Sequence, residues 1–172
     1  HIVGVQFRNC ATVGGSLFGR FGFSDVLTLF LALDATVTLH HAGEMPLADF
    51  AALPRTTRDI LTQVTVPKAP RRVVYLSQRN ISTDFPVLTC ALSERDGAYT
   101  CAIGARPMPA VAFADEKGVL AQGITEESAR AFAEDIAARV ELGGNMRASE
   151  DYRREICKVL VRRAAMALTK EG

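Results

Sequence analysis

The sequence has little net charge, no long apolar run and no close pair of cysteines, and each absence excludes a class of protein. The formal net charge is +1, so an electrostatic nucleic-acid binder is not expected. The most apolar run, residues 26–33 (VLTLFLAL), is too short to span a bilayer. The four cysteines form no CxxC pair, so no zinc or iron–sulfur site is expected within the chain. We predict that they are small buried residues of a protein in a reducing cytoplasm.

Glycine recurs at four positions between Gly14 and Gly22, where three known motifs fail to match. A P-loop in this frame has Arg20 and Phe21 in place of its lysine and its magnesium-binding hydroxyl. A hydrolase nucleophile elbow has Phe18 in place of its last glycine, and no GxGxxG fingerprint is present. Two interpretations remain. The segment is a tight turn between a strand and a helix, or its backbone N–H groups and hydroxyls surround an anionic group.

The first part of the chain predicts a strand, a helix and a hairpin. Residues 2–7 alternate weakly and predict a short strand. Ser24 is typical of an N-cap and Asp25 of a first turn, and they predict a buried helix of roughly three turns. Residues 35–39 predict a strand that turns at residues 41–44 into a second strand.

A proline-rich, basic segment at residues 66–72 is the best candidate for a linker. Strand patterns flank it, at residues 60–66, 73–77, 85–92 and 99–104. A hairpin turn at residues 94–97 is predicted to join the last two strands.

Two helices are predicted at the end of the chain, with Thr125 as the first cap and a second start near Ser149. The second helix is predicted to bury Tyr152, Ile156, Leu160 and Ala164. Its other side is basic and is interpreted as a solvated face or, alternatively, a partner-docking surface. The residues of that side are Arg153, Arg154, Lys158, Arg162 and Arg163.

The ionisable residues include no convincing acid–base pair. His40 and His41 have no carboxylate or cysteine at ligand spacing, and we predict surface positions for both. Asp84 lies in a polar loop, where an Asx-type turn and a catalytic role are both open.

Several segments resemble the flavin-binding subunits of the molybdenum hydroxylases, the family of xanthine dehydrogenase and carbon monoxide dehydrogenase. These segments are QFRNCATVGGSL, SDVLTLFLALDATVTL, ILTQVTVP, YLSQRNISTDFPVLTCAL, CAIGARP and MRASEDYRREICKVLVRRA. They occur in the family's order and cover nearly the whole chain. The resemblance implies an α+β fold in two parts. Residues 1–67 would be the second half of an FAD-binding domain with a mixed sheet and helices. Residues 68–172 would be a C-terminal domain with a three-stranded antiparallel sheet packed on helices.

The resemblance further implies a flavoprotein electron carrier. In this family a molybdenum-cofactor subunit oxidises the substrate, an iron–sulfur subunit with two [2Fe–2S] clusters passes electrons on, and FAD delivers them to NAD⁺ or another acceptor. We therefore expect FAD as cofactor and these two subunits as partners.

The family's FAD contacts transfer by position to one segment and four single residues. The segment is Thr12, Val13, Gly14, Gly15 and Ser16, which would hold the diphosphate and ribityl region. The single residues are Ile2, Asp25, Leu61 and Leu76. Ser16 replaces the usual asparagine, Ile2 an aromatic residue and Leu76 a lysine, so three contacts differ from the family pattern.

Family members carry a further glycine-rich segment in a domain that precedes the region matched here. We expect that half of the FAD site on a separate chain or in a longer form of this protein. The alternative function is a cofactor-free interaction module that only docks to such a complex.

Overall fold

The computed structural model describes residues 2–169, which form two antiparallel sheets with helices between and around them. The helices are α1 (Val5–Cys10), α2 (Val13–Phe18), α3 (Asp25–Ala32), α4 (Leu47–Ala52), α5 (Glu126–Arg139) and α6 (Glu150–Leu168). The strands are β1 (Thr36–Leu39), β2 (Gly43–Pro46), β3 (Leu61–Thr65), β4 (Arg72–Gln78), β5 (Leu88–Arg95), β6 (Ala98–Gly104) and β7 (Val111–Ala114). Within residues 2–169, no helix is both long and apolar enough to cross a membrane.

The N-terminal segment is helical where the sequence predicted a strand and a glycine turn. The strand prediction is wrong, because α1 occupies its second half, residues 5–7. Of the two interpretations of the glycine segment, the tight turn is wrong, because Gly14 and Gly15 lie in the first turn of α2. The side chain of Thr12 caps α2 by accepting the Gly15 N–H at 3.0 Å. This local hydrogen bond outweighs the low helix propensity of the glycines, because it satisfies an N–H that the helix itself cannot.

The first sheet has the order β2-β1-β3 and is antiparallel throughout, so the prediction of a mixed sheet is wrong. The predicted hairpin is confirmed, with β1 and β2 joined by a short turn. The chain then forms α4, which was not predicted, and returns along the other edge of β1 as β3.

The second sheet has four antiparallel strands in the order β4-β5-β6-β7, one more than predicted. The missed strand, β7, is only four residues long and follows a proline-containing loop. The predicted hairpin between β5 and β6 is confirmed. Its two loop residues, Asp96 and Gly97, have φ angles of 52° and 82°, as a type I′ turn requires.

Side chains alternate between the two faces of the second sheet, and both faces are buried because α6 covers one and α3 the other. Cys90, Leu92, Cys101 and Ile103 face the core beneath α5 and α6. Ala91 and Ala102 face the opposite core, which α3 helps to form. Three cysteines are buried as predicted, Cys157 on α6 among them, whereas Cys10 is exposed.

Helix α6 is rotated relative to the prediction. Tyr152 is 44% exposed, and Arg153, predicted on the solvated side, is only 1% exposed. Arg153 donates to the main-chain oxygens of Val87, Gly143 and Ala148, and these hydrogen bonds stabilise the buried guanidinium. The acceptors lie in loops outside the helix, so the helical pattern of the sequence could not predict this burial. The remaining basic residues of this side are partly or fully exposed, and three of them pair with acidic side chains of α5 or α6.

Helix α3 joins the two sheets through a close contact with β6. Thr28 on α3 and Thr89 on β5 are fully buried, and their hydroxyls share a hydrogen bond of 2.9 Å. Gly104 lies beside them, where an added Cβ would be 2.0 Å from Thr28 Oγ1 and 2.5 Å from Thr89 Oγ1. The helix therefore requires a residue without a side chain at position 104. The predicted boundary between residues 67 and 68 lies in the segment between β3 and β4 and stays a prediction.

We predict that Gly104→Ala lowers the free energy of unfolding by roughly 2–4 kcal/mol, because it overpacks the contact and breaks the threonine hydrogen bond. Urea unfolding followed by circular dichroism measures this change. Gly144→Ala is the matched control, since its Cβ would approach no atom closer than 3.6 Å. Equal unfolding midpoints for the two variants would contradict the proposed role of Gly104.

Candidate functional site

A cavity of about 320 Å³ lies where α1, α2 and the start of α3 meet the loop after β4. Five of the residues predicted to contact a cofactor line it: Ile2, Thr12, Gly15, Ser16 and Asp25. The volume is at the lower end of the range for ligand pockets, about 300–1,000 Å³. The cavity therefore suits part of a large ligand.

The segment 12–16 offers fewer free donors than its sequence suggests. Gly15 N–H donates to Thr12 Oγ1, and Ser16 donates both its N–H and its hydroxyl to the main-chain oxygen of Thr12. The N–H groups of Val13 and Gly14 precede the first helical acceptor, and no acceptor for them exists among residues 2–169. These two groups are the donors that the segment leaves for a ligand.

Ser24 connects α2 to α3. Its hydroxyl donates to the main-chain oxygen of Ser16 at 3.1 Å and accepts the N–H of Leu27, so one side chain caps α3 and fixes α2 beside it. The predicted N-cap is thus confirmed, and it also positions one wall of the cavity.

Asp25 is buried at the start of α3, with 4% of its surface exposed. Its Oδ1 accepts hydrogen bonds from the Tyr75 hydroxyl, at 2.5 Å, and from the Arg79 guanidinium. Its Oδ2 has no hydrogen-bond partner in the described part of the chain. This oxygen is not completely enclosed by protein, so a ligand or solvent can reach it. Because Asp25 borders the cavity, this oxygen is an anionic acceptor that the protein leaves for a ligand.

The loop after β4 is held in place by two arginines. Arg79 donates to the main-chain oxygen of Asp84 at 2.7 Å, and Arg147 pairs with the Asp84 carboxylate at 3.2 Å. The hydrogen bond from Arg147, together with the N–H of Phe85, lowers the pKa of Asp84. The Asp84 carboxylate therefore anchors this loop through Arg147 and the N–H of Phe85 and fixes Phe85 at the cavity wall; it forms no Asx turn, because that turn needs the N–H two residues on and residue 86 is a proline.

Aromatic rings form the other side of the cavity. Phe23 packs on Phe85 with centroids 4.2 Å apart and stacks on Phe21 at 5.2 Å. Phe7 meets Phe85 edge-on at 5.8 Å. Three of these rings, those of Phe7, Phe21 and Phe23, remain more than one third exposed, so apolar surface is available beside the polar groups.

Four of the predicted contact residues do not line this cavity. The side chain of Val13 is exposed, and an added Cβ at Gly14 would face Leu61, which packs on the core around the first sheet. Leu76 faces the opposite core, beneath α5 and α6. Because Tyr75 and Leu76 are neighbours on β4, strand alternation directs only one of them toward Asp25.

Sequence reasoning missed Tyr75, Arg79, Phe23 and Phe85 as site residues. The segment YLSQRNISTDF contains three of them, but Tyr75 and Arg79 reach Asp25 only because α3 packs against the second sheet. The surface prediction for His40 and His41 is confirmed. No cluster of His, Cys, Asp and Glu suitable for a metal ion occurs within residues 2–169.

The Tyr75 hydroxyl makes the folding stability of the protein depend on pH. Burial first, and then the negative charge of Asp25, raise the pKa of Tyr75 well above its ordinary value. The unfolded chain releases this proton near pH 10 and the folded chain retains it, so the contribution to stability is complete below pH 10 and is lost as the pH rises further.

We predict that Tyr75→Phe makes the unfolding free energy less dependent on pH above about pH 10, by up to roughly 1.4 kcal/mol per pH unit. Urea unfolding of both proteins between pH 8 and pH 11 measures the difference in slope. Tyr152→Phe, at a tyrosine that is 44% exposed and lies outside the site, serves as the control. Parallel profiles for wild type and Tyr75→Phe would refute the assignment.

Comparison with known proteins relates this site to a cofactor. Residues 1–69 match the family described as the FAD binding domain in molybdopterin dehydrogenase. The glyceraldehyde dehydrogenase medium chain of Sulfolobus acidocaldarius is 26% identical over 174 residues, an alignment that covers 93% of this chain and 62% of that protein. This chain thus spans less than two thirds of that relative's length.

Solved structures show the same fold. Quinoline 2-oxidoreductase from Pseudomonas putida 86 superposes with a TM-score of 0.80 at 21% identity, covering 99% of this chain and 65% of that one. Carbon monoxide dehydrogenase from Hydrogenophaga pseudoflava gives 0.79 at 23% identity, covering 97% and 64%. Residues 1–69 therefore match an FAD-binding domain of the molybdopterin dehydrogenases, and the chain as a whole shares the fold of these two solved proteins.

Proposed function

We propose that this chain forms part of an FAD site in a molybdopterin-dependent dehydrogenase and serves there in electron transfer. The observation that carries the proposal is the free Oδ2 of buried Asp25 at the edge of a cavity within the region that matches an FAD-binding domain. When bound, FAD exchanges electrons with its partners one at a time or as a pair. The protein's part is to bind and orient it.

The groups around the cavity fit the chemistry of FAD. The unpaired Oδ2 of Asp25 accepts a hydrogen bond from an N–H or hydroxyl of the cofactor. The free N–H groups of Val13 and Gly14 are next to the cavity-lining Thr12 and Gly15 in the chain but do not line the cavity themselves, and they suit an anionic oxygen of a part of the ligand that extends beyond it. The exposed faces of Phe7, Phe21 and Phe23 provide apolar contact for a ring system.

The protein holds these groups in fixed positions without the cofactor. Arg79 and Tyr75 orient the Asp25 carboxylate, and Ser24 holds α2 beside α3. Such preorganisation lowers the cost of ordering side chains when a ligand binds. Because the cavity suits only part of FAD, we propose that a segment outside residues 2–169 or another chain completes the site.

The wider function is inferred from the relatives. We propose that the electrons arrive from [2Fe–2S] clusters on an iron–sulfur subunit, after oxidation of the substrate at a molybdenum-cofactor subunit, and leave to NAD⁺ or another acceptor. A cytoplasmic location is consistent with the buried free thiols.

A cofactor-free docking module is the second candidate. Leu76, which stands where many relatives carry a lysine, points away from the cavity, and the Ser16 hydroxyl donates within α2. This candidate requires that flavin is absent from the assembled complex and that changes at Gly15 have no effect on it.

We predict that Gly15→Val weakens FAD binding by at least about tenfold. An added Cβ at position 15 lies 2.9 Å from Thr12 Oγ1, so the larger side chain displaces the cap of α2 and narrows the cavity. The measurement is the flavin content of the purified complex from its visible absorption, with Gly144→Ala as control. A colourless wild-type complex, or equal flavin in both variants, would exclude the proposed function and favour the docking module.

A second prediction uses Cys10, which lines the cavity and is exposed while the other three thiols are buried. We expect an alkylating reagent to modify Cys10 first. FAD at ten times its Kd should slow this reaction about tenfold, because only about one site in eleven is then free. Mass spectrometry of the labelled peptides measures the rate, and Cys10→Ser, which should show no fast labelling, is the control. Labelling at the same rate with and without FAD would place the cofactor elsewhere.

A further inference from the structure

A second cavity, of about 450 Å³, lies between α4 and β7 and shares no lining residue with the cavity at Asp25. Its walls are mainly small or apolar side chains: Leu31, Ala48, Ala51, Ala52, Met108 and Ala112. The alanines leave space that larger side chains would fill. The volume is within the usual range for small-molecule sites, about 300–1,000 Å³.

Arg106 is the single charged residue in this wall, and it is 8% exposed. Its Nε donates to the main-chain oxygen of Pro109 at 2.7 Å, and its Nη1 donates to that of Glu141 at 2.8 Å. No salt bridge to Arg106 occurs within residues 2–169, although the exposed Glu141 side chain lies near enough to favour its charged form. Burial is the larger effect and lowers the pKa of Arg106.

The remaining nitrogen, Nη2, has no acceptor in the described part of the chain. Unlike Arg20 Nε and Arg71 Nε, which are unpaired and completely enclosed, Nη2 keeps some accessible surface. Arg106 lines this cavity, and Nη2 is the one nitrogen of its guanidinium that no acceptor in the described part of the chain occupies. A buried cation with a free donor favours an anionic acceptor, since it gains a charge-assisted hydrogen bond there.

We propose that this cavity binds a small aliphatic monocarboxylate, with its carboxylate at Arg106 Nη2 and its tail along the alanines of α4 and β7. Arg106 is the only charged residue in the wall, so it can balance the charge of one carboxylate. The apolar walls exclude a polyanion or a sugar, because its other polar groups would be buried without partners. The inference does not depend on the function proposed for the other cavity, because the two share no residue.

The test is a titration of the full chain with hexanoate and, separately, with hexan-1-ol, which has the same tail without the charge. Methyl NMR spectra report on Ala48, Ala51, Ala52 and Ala112. We expect saturable shifts of these signals with hexanoate and at least tenfold weaker binding of the alcohol.

Two variants change the site in different ways. Arg106→Met removes the cation and should weaken hexanoate binding at least tenfold while leaving hexan-1-ol binding within about threefold. Ala52→Phe fills the cavity from an exposed position and should weaken both ligands. It keeps the test decisive if Arg106→Met fails to fold. Arg130→Met, on α5 and outside the cavity, is the control and should bind hexanoate as wild type does.

Equal affinity for hexanoate and hexan-1-ol would overturn the proposal, as would hexanoate binding that is unchanged by Ala52→Phe. A partner protein surface is the competing occupant of this cavity. If hexanoate gives no saturable shift while the purified partner subunits shift the same alanine signals, the cavity is a protein interface and the proposal is wrong.

Discussion

The contact between α3 and the second sheet is the constraint on which the rest of the structure depends. The Thr28 and Thr89 hydroxyls and the missing side chain at Gly104 bring the helix against β5 and β6. This position places Asp25, at the start of α3, within reach of Tyr75 on β4. A methyl group added at this contact would push α3 away from the sheet, because a close-packed interior has no space for the extra volume. The Asp25 carboxylate would then move away from the Tyr75 hydroxyl.

Charge inside the protein is handled mainly by arginines bound to main-chain carbonyls. Arg20, Arg106 and Arg153 are nearly fully buried, and each donates to carbonyl groups of loops or helix ends. These bonds satisfy carbonyls that regular structure leaves free and hold the connecting loops in place. Arg79 differs, because it pairs with the carboxylate of Asp25. At the cavity, Arg79 therefore balances the charge of Asp25 through Oδ1, and Oδ2 keeps no hydrogen-bond partner in the described part of the chain.

Local sequence patterns predicted those helices and strands whose caps, turns and side-chain alternation depend only on residues close together in the sequence. Ser24, Thr125 and Ser149 mark helix starts, and Asp96 and Gly97 a hairpin, because each acts through hydrogen bonds or φ angles within four residues. The same logic failed at residues 2–22. There the glycines suggested a turn, whereas the cap at Thr12 produces a helix. It also missed the short β7, whose pairing with β6 is a long-range choice.

The sequence by itself determined the helix caps, the antiparallel hairpins and, through its resemblance to flavin-binding subunits, five of the residues that line the cavity. Only the tertiary structure decided that Tyr75 and Arg79 hold one oxygen of Asp25 and leave the other free, and that Leu76 lies on the opposite face of the sheet. The physical reason is the period of a strand: neighbouring side chains on β4 point to opposite faces. Which face meets α3 is set by packing against Gly104 and the threonines, a contact between residues more than sixty positions apart in the chain.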